Sequence, residues 1–485
     1  VDRIVASIAS EIETIERNNG PRGAQAIDTG IIALVGTASL ANEELWPLDT
    51  VIPVHGLNGL PGGLGSTGTL GDAFDGIFDQ ATRASQTVLA VRVEEGANIA
   101  ATMQNIIGNS ATKTGMHAFR KAFDETGLIP KLFIAPGFTS SRPTDGVKSI
   151  AVGEGGTGYT TAPTVTITGT GFGATAVATI DESGAVDSIT VTNPGAGYSA
   201  APTVTIAGDG QDATATATLG SVANPVVAEM LALARKFRAG VIVDGPNTTP
   251  EAAVTYRLDW SDPNLLIVDP FCKVFKDAAP VNEPASARVA GLTARVDYEE
   301  GFWVSPSNHV IEGIVGTARS VEHSLSDPSV ESQYLNKNGV ATIVRSPSGG
   351  YKLWGSRGAD ADPLNVFWSV RRAHNTIIDS IERAHEPFVD KPFSLQILVD
   401  IAETVNRALR RWQGMGATLG SRVWLDPALN TKETWASGHL YVSYDAEAPA
   451  PIEQLTFVFN RNTGYYDVLA EKAIREIARL AGASL

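Results

Sequence analysis

Seven histidines, one cysteine and a scatter of carboxylates are the residues of this 485-residue chain that could carry a reaction. The histidines are His55, His117, His309, His323, His374, His385 and His439. No two have the spacing that lets one helix face hold zinc with a glutamate between them. His374 and His385 fall on one expected helix but eleven residues apart, about three turns, too far to share a metal. Asp360 with Asp362, and Asp379 with Glu382, are the carboxylate pairs that general acid–base work would need. The first pair lies in a Gly/Pro loop and the second on a charged helix face, so both read as turn or surface residues. Gly56–Gly71 (GLNGLPGGLGSTGTLG) follows a strand and opens a helix, where a phosphate loop could sit. It lacks the Lys-Ser/Thr that closes on phosphate and magnesium, and reads as a connecting loop. Cys272 is the only cysteine, which excludes an internal disulfide and a cysteine-cluster metal site. Its apolar surroundings (LLIVDPFCKVF) predict a buried, inert thiol. There is no Gly-x-Ser-x-Gly elbow with a plausible partner. Neither a catalytic centre nor a cofactor is expected.

Arg407, Arg410 and Arg411 form a basic patch on an expected helix. With a net charge of −16 overall, a nucleic-acid binder that neutralises phosphates is disfavoured, and the patch reads as a solvated face or a protein contact. No run of eighteen apolar residues is present, so no membrane-spanning helix and no membrane insertion is expected. Nor does a charged-then-apolar opening segment suggest secretion.

The elements that would position these residues alternate. Gly30–Gly36, Thr50–Val54, Thr87–Val93, Lys131–Ala135, Ala239–Asp244 and Asn264–Asp269 are short apolar runs. Leu70–Gln80, Gly115–Thr126, Val226–Phe237, Ala252–Leu258 and Ala285–Asp297 carry helical signals. Short buried strands between helices predict an α/β domain with a largely parallel sheet, discontinuous over 26–146 and 223–338. Such sheets often carry ligands at their strand C-termini, but the fold alone assigns none.

The interruption, 147–222, is a tandem repeat with an offset of 39 residues. Ser149-Ile150-Ala151-Val152 matches Ser188-Ile189-Thr190-Val191, Gly158-Tyr159 matches Gly197-Tyr198, and Ala162–Ile167 matches Ala201–Ile206. Alternating Thr/Ala/Val runs between Gly/Pro turns predict a small all-β module of two units. Residues 149–222 hold six acidic residues and no Lys, Arg or His. The module reads as a solvated ornament; the functional alternative is weak binding to a glycan or cell surface through Tyr159 and Tyr198.

From Gly339 to Asn460 the pattern is a sheet-and-helix unit with an unfinished edge. Gly339–Arg345 and Tyr351–Trp354 flank a Ser-Pro-Ser-Gly-Gly turn, a hairpin signal. Apolar residues recur at helical spacing over 364–386 and again from Leu395 to Trp412. Arg422–Leu425, His439–Tyr444 and Leu455–Asn460 read as strands, and the alternation of Leu455, Phe457 and Phe459 predicts one face in a core. Tyr466–Leu480 is an expected amphipathic helix.

The segments GVATIVR…YKLWGSRGADADPLN, HEPFVDKPFS and HLYVSYDAEAPAPIEQLTF, in that order, closely resemble the C-terminal core of the contractile tail sheath proteins of long-tailed bacteriophages. Trp354, Gly355, Asp362 and Pro363 carry much of the motif. The resemblance spans about Gly20–Pro143 and Val226–Phe459, with the repeat module as a departure. It implies an α/β plus α+β multidomain sheath fold: an arm at 1–25, the α/β domain, the inserted module, a C-terminal core domain at 339–463 completed by strands from neighbours, and a terminal helix at 464–485. It implies a structural subunit that is not an enzyme, and self-assembly as stacked six-fold rings around a tail tube protein, with baseplate and tail terminator proteins as further partners. The expected location is the virion tail, assembled in the host bacterial cytoplasm. Residues 1–18 fit a helix or a strand from their own pattern. The family favours a strand, so Glu11, Ile12, Glu13, Thr14 and Ile15 are one expected donated strand. Leu455, Thr456, Phe457, Val458 and Phe459 are the other, led by Pro449 and Pro451. Lys472, Arg475 and Arg479, with the Arg407/Arg410/Arg411 patch behind them, are the expected tube contact. The alternatives are a phage-derived contractile particle or secretion device and, in other classes, an α/β enzyme or a carbohydrate-binding surface protein.

Overall fold

The structure, a computed structural model, describes residues 26–81 and 86–482. The chain divides into two units, one ending at Pro451 and the other beginning at Ile452. In the first, β1 (Ile32–Thr37) is buried along its whole length. Ile32 and Leu34 join one core and Ala33 and Val35 another, the two-faced burial of a central strand between helical layers. In order follow β2 (Val51–His55), α1 (Leu70–Phe78), β3 (Thr87–Val93), α2 (Ile99–Ile107), α3 (Ala122–Thr126) and β4 (Leu132–Ile134). The helix α2 was not expected from the sequence. It starts because Asn98 caps it, accepting from the Ala101 amide at 2.8 Å. The single helix expected over Gly115–Thr126 is instead a 3-10 segment, Gly115–Lys121, running into α3.

The inserted module contributes β5 (Gly146–Thr157), β6 (Thr164–Thr168), β7 (Thr175–Ile180), β8 (Val186–Asn193), β9 (Thr203–Ala207) and β10 (Gln211–Gly220). Its antiparallel sheet has the order β5-β10-β9-β6-β7-β8. Each repeat therefore pairs mainly with the other. At the centre Thr166 lies opposite Thr205, its own counterpart 39 residues on, and the flanking pairs are symmetric about them. Likewise Ile150 faces Ala217 and Ile189 faces Ala178. The module is thus an intertwined pseudo-dimer. The amide of Val147 donates to the Pro194 carbonyl at 2.8 Å and that of Tyr159 to the Gly184 carbonyl at 3.0 Å, stitching the two outer strands together at both ends.

The chain then returns through α4 (Pro225–Phe237), β11 (Gly240–Asp244), α5 (Pro250–Arg257) and β12 (Leu265–Val268). The main sheet has the order β12-β11-β4-β1-β3-β2, parallel throughout except for β2, which runs antiparallel to β3. The largely parallel α/β unit is as expected. Next come β13 (Cys272–Lys276), β14 (Ala279–Glu283), α6 (Ser286–Glu299), β15 (Val310–Ile311), β16 (Gly316–Thr317), α7 (Glu331–Lys337), β17 (Thr342–Arg345) and β18 (Tyr351–Trp354). On one face of the sheet α1 and α6 pack through Phe74, Ile77, Val289 and Leu292. On the other, α2 and α4 pack through Met103, Ile106, Val226 and Met230.

The β17–β18 hairpin forms as expected, but Ala341, Ile343 and Leu353 are buried with the parallel sheet, and the Ala341 amide donates to the Ile267 carbonyl at 2.9 Å. It pairs with β15 rather than with any later strand. The strands of the expected sheet-and-helix unit therefore fall into two separate sheets, β15-β18-β17 and one further on in the chain. A third core begins in α8 (Trp368–His385) and α9 (Leu395–Met415), where Val370, Ala373 and Ile377 meet Val405, Leu409 and Trp412. After them come β19 (Gly420–Trp424), α10 (Lys432–Ala436) and β20 (Ser443–Glu447), with β19 and β20 paired antiparallel. β20 starts later than the strand expected at His439 because the Asn430 side chain holds both the amide and the carbonyl of Tyr441 in a loop. The second unit holds α11 (Tyr465–Leu480), and Leu455–Asn460 forms no strand within it.

Candidate assembly interface

At the C-terminal ends of the parallel strands, where an α/β enzyme would work, the chain's own loops are tied down, leaving a cavity of about 60 Å³ lined by Thr69, Pro136, Pro284 and Arg288. In the glycine-rich loop, Gly68 (φ 86°) lies so close to the Thr37 carbonyl that a Cβ would come within 2.2 Å of it. The glycine therefore serves the loop's return onto β1, which the Thr69 amide completes by donating to the same carbonyl at 2.9 Å. At the end of β11 the buried Asp244 accepts from the amide (2.8 Å) and hydroxyl (2.6 Å) of Ser286, tying the start of α6 over the crevice. Burial pushes its carboxyl up to about 6 in spite of those bonds. Asp269, just past β12, is also pushed up by burial, and it accepts from Arg319 and from the Asn247 amide. Both carboxylates face inward and hold loops. The Cys272 thiol is buried and pushed up to about 12, so it is not a nucleophile. Among the described residues no group of three His, Cys, Asp or Glu side chains could hold a metal ion.

The expected carboxylate pairs resolve into two structural roles. Asp360 and Asp362 stabilise their loop: Asp362 accepts from the Leu364 amide at 3.0 Å and from the Asn365 side chain at 2.9 Å. Asp379 and Glu382 are not simple surface residues. Asp379 pairs with the buried Lys131 and with Arg238, and Glu382 chelates the Arg238 guanidinium, so that α8 is bolted to the ends of β4 and α4. Of the motif residues, Trp354 exchanges hydrogen bonds with Asn336 through both its indole nitrogen and its carbonyl once that amide is oriented to suit its neighbours. Gly355 lets the chain pass the Ala341 backbone, and Pro363 follows Asp362 on the exposed loop. The tyrosines considered for glycan binding are buried: Tyr159 packs on Gly208 and Gly210, and Tyr198 on Gly169 and Gly171, each reaching into the other repeat. They are the module's core and offer no platform to a sugar.

What the chain leaves incomplete lies near its C-terminus. β19 and β20 pair only with each other among the described residues, so each keeps one edge of amides and carbonyls without a strand partner. A two-stranded ribbon is marginal unless something covers it; here α9 packs beneath it. In the second unit, Leu455 is 68% exposed, Phe457 84% and Phe459 89%. Val458, on the other face of the expected strand, is 79% exposed as well, and none of these side chains enters a core within this unit. α11 buries no residue, and Val468, Leu469, Ile477 and Leu480 remain exposed on it. Apolar surface of that size on one segment marks an interaction site. The expected arm Glu11–Ile15 lies outside the described residues. Of the expected tube-contact residues, Arg407 pairs with Glu403, while Arg410 and Arg411 are exposed on α9. On α11, Lys472 is exposed, Arg475 lies 3.8 Å from Glu471 and Arg479 2.7 Å from Glu476.

An α/β body whose strand-end loops are tied down by its own side chains, with a ribbon whose edges have no strand partner among the described residues and an exposed apolar segment, has the anatomy of an assembly subunit. The family models agree. The phage tail sheath protein central domain matches residues 204–359 and the phage tail sheath C-terminal domain matches 360–461, together more than half of the chain. The chain belongs to the phage tail sheath family. It is 37% identical over 239 residues to a putative prophage major tail sheath protein of Pseudomonas aeruginosa (strain UCBPP-PA14), a match covering 49% of this chain and 61% of that one. The chain thus spans about three fifths of that relative's length. It is 24% identical over 457 residues to the tail sheath protein of Escherichia phage P2, covering 92% and 93% of the two chains. Among solved structures, the sheath of an extracellular contractile injection system (PVC, contracted state) superimposes with a TM-score of 0.59 at 14% identity, over 95% of this chain and 100% of that one.

Proposed function

We propose that this chain is the structural subunit of a phage contractile tail sheath. It polymerises around the tail tube as stacked six-fold rings and contracts to drive the tube through the host envelope for genome ejection. The observation that carries this reading is the coexistence of an open β19–β20 ribbon with an exposed, alternating Leu455–Phe459 segment that has no strand partner among the described residues. A segment of one copy adds to the ribbon of the next by backbone pairing, and the 11–16 segment supplies a second donated strand. Backbone ladders suit a device that moves: the flanking residues hinge while the ladder stays closed. Head-to-tail pairing that does not close on itself gives a helix, and contraction is a rigid-body rotation of subunits into a lower-energy packing. The work is mechanical, and the chain needs no catalytic group or cofactor. The tube contact falls to Lys472, Arg475 and Arg479 and to the Arg407/Arg410/Arg411 face, and baseplate and tail terminator proteins hold the two ends. The repeat module faces away from the tube, because a projection on the inner side would block it. The sheath is assembled in the host cytoplasm and resides in the virion. We place the domain boundaries at 1–25, 26–146 with 223–338, 147–222, 339–463 and 464–485.

A second reading, the sheath of a contractile particle or secretion device, is favoured by the likeness to the PVC sheath. Negative-stain microscopy of the purified chain tests both, with cogwheel-sectioned tubes as the expected result. A chain truncated before Ile452, or lacking 1–18, is expected to stay soluble and form none. Tubes of normal length from the first truncation would overturn the strand-donation reading.

A further inference from the structure

The repeat module is nearly two-fold symmetric inside, yet only one of its ends is docked. At that end Phe172 bridges to Ala196, and both are buried in the same core as Ile107 of α2. Gly197 lies against Ala100, and the Asn193 side chain donates to the Pro225 carbonyl at the start of α4 at 3.4 Å. The counterpart of Phe172, 39 residues on, is Gln211, and the counterpart of Ala196 is Thr157. Those two pair with each other at the opposite end and are exposed. Internal symmetry makes this a controlled comparison, because two positions of identical backbone role differ in whether they meet the α/β body.

The charges follow the same axis. All six acidic residues, Glu154, Asp181, Glu182, Asp187, Asp209 and Asp212, are exposed on the undocked half. That placement follows from the pairing of Gln211 with Thr157, the Tyr159–Gly184 bond and the Thr160 amide donating to Asp209 at 3.1 Å. Their counterparts at the docked half are Asn193, Gly220, Ser221, Lys148, Thr170 and Gly173, none of them acidic. An end buried against an apolar body cannot keep unpaired carboxylates, since desolvating them is costly, whereas a free end can.

We infer that Phe172 fixes the direction of the module. It is a positioning residue that keys one of two otherwise equivalent ends into the α2 surface, so the module is carried as a rigid projection with its acidic end outward from the body and does not swing on its two linkers. The test is hydrogen exchange on the full chain carrying F172Q, which installs the residue of the other repeat, beside F172L. In F172Q the amides of Ala101–Ile107 and of Gly195–Tyr198 should exchange at least tenfold faster, while β6 and β9 keep their protection. F172L should exchange as the parent does. The inference is overturned if F172Q leaves both segments protected. It is equally overturned if β6 and β9 lose protection in step with them, because Phe172 would then be holding the module's fold and not its direction.

Discussion

Asp244 holds its proton more tightly in the folded chain, at about 6, than an unfolded aspartate does. Protonation therefore favours folding. The contribution is complete below about pH 4 and is lost as pH rises through 6. From this group alone the unfolding free energy should fall by up to about 3 kcal/mol between pH 4 and 7. Urea unfolding across that window should show the slope in the parent and a flatter one in D244N; equal slopes would remove Asp244 as the cause. Asp379 matters as the counter-charge of a buried lysine. In D379A, Lys131 keeps only the Phe237 carbonyl, at 2.5 Å, and the loss should be roughly 3 kcal/mol or more. The double variant K131M/D379L should recover most of it, since removing both charges leaves none unpaired.

At the scale of elements, the sequence was most legible where burial repeats along a run. β1, β3 and β11 are buried on both faces, which is what an inner strand of a parallel sheet must be, and the edge strand β12 is buried as well. Helices α8 and α9 showed their buried stripe directly. What apolar residues do not disclose is which core they enter. Ala341, Ile343 and Leu353 look the same whether the hairpin opens a new domain or closes an old one, and only the structure puts them beside β12. Helix α2 was missed because it is nine residues long and depends on one cap. The docking of the module leaves a trace in the sequence, since the aromatic Phe172 stands where the second repeat has Gln211. The exposed strand-like segment was the converse case: a clear alternation whose partner was expected in another copy. Because Phe457 and Phe459 are exposed, F457D/F459D should leave the melting temperature of the free subunit within about a degree, since surface changes seldom exceed roughly 0.5 kcal/mol. The same variant should abolish tubes in negative stain. A lowered melting temperature would mean that these rings pack within their own chain.

For the whole molecule, the two β parts treat their edges in opposite ways. The repeat module ties its outer strands to each other with a backbone hydrogen bond near each end, which hinders a further strand from joining. The β19–β20 ribbon has no strand partner on either outer edge among the described residues. Removing residues 147–222 and bridging the gap should therefore leave tube formation intact, but it would bare Ile107 and the α2 surface, so the deletion should carry a polar substitution at Ile107 to stay soluble. Failure of that soluble variant to form tubes would mean that the module takes part in assembly.

The free ribbon also bears on how growth begins. Under the proposed strand donation, two strands resting on α9 offer a smaller acceptor than the three-stranded sheet a neighbour would complete, so the first encounter returns less than later ones. Each later arrival meets an edge already firmed by the one before. Polymerisation from dispersed chains should then show a lag and a threshold concentration, and sheared fragments of finished tubes should abolish the lag. A baseplate would serve the same purpose in the cell, as the seed that decides where a sheath starts.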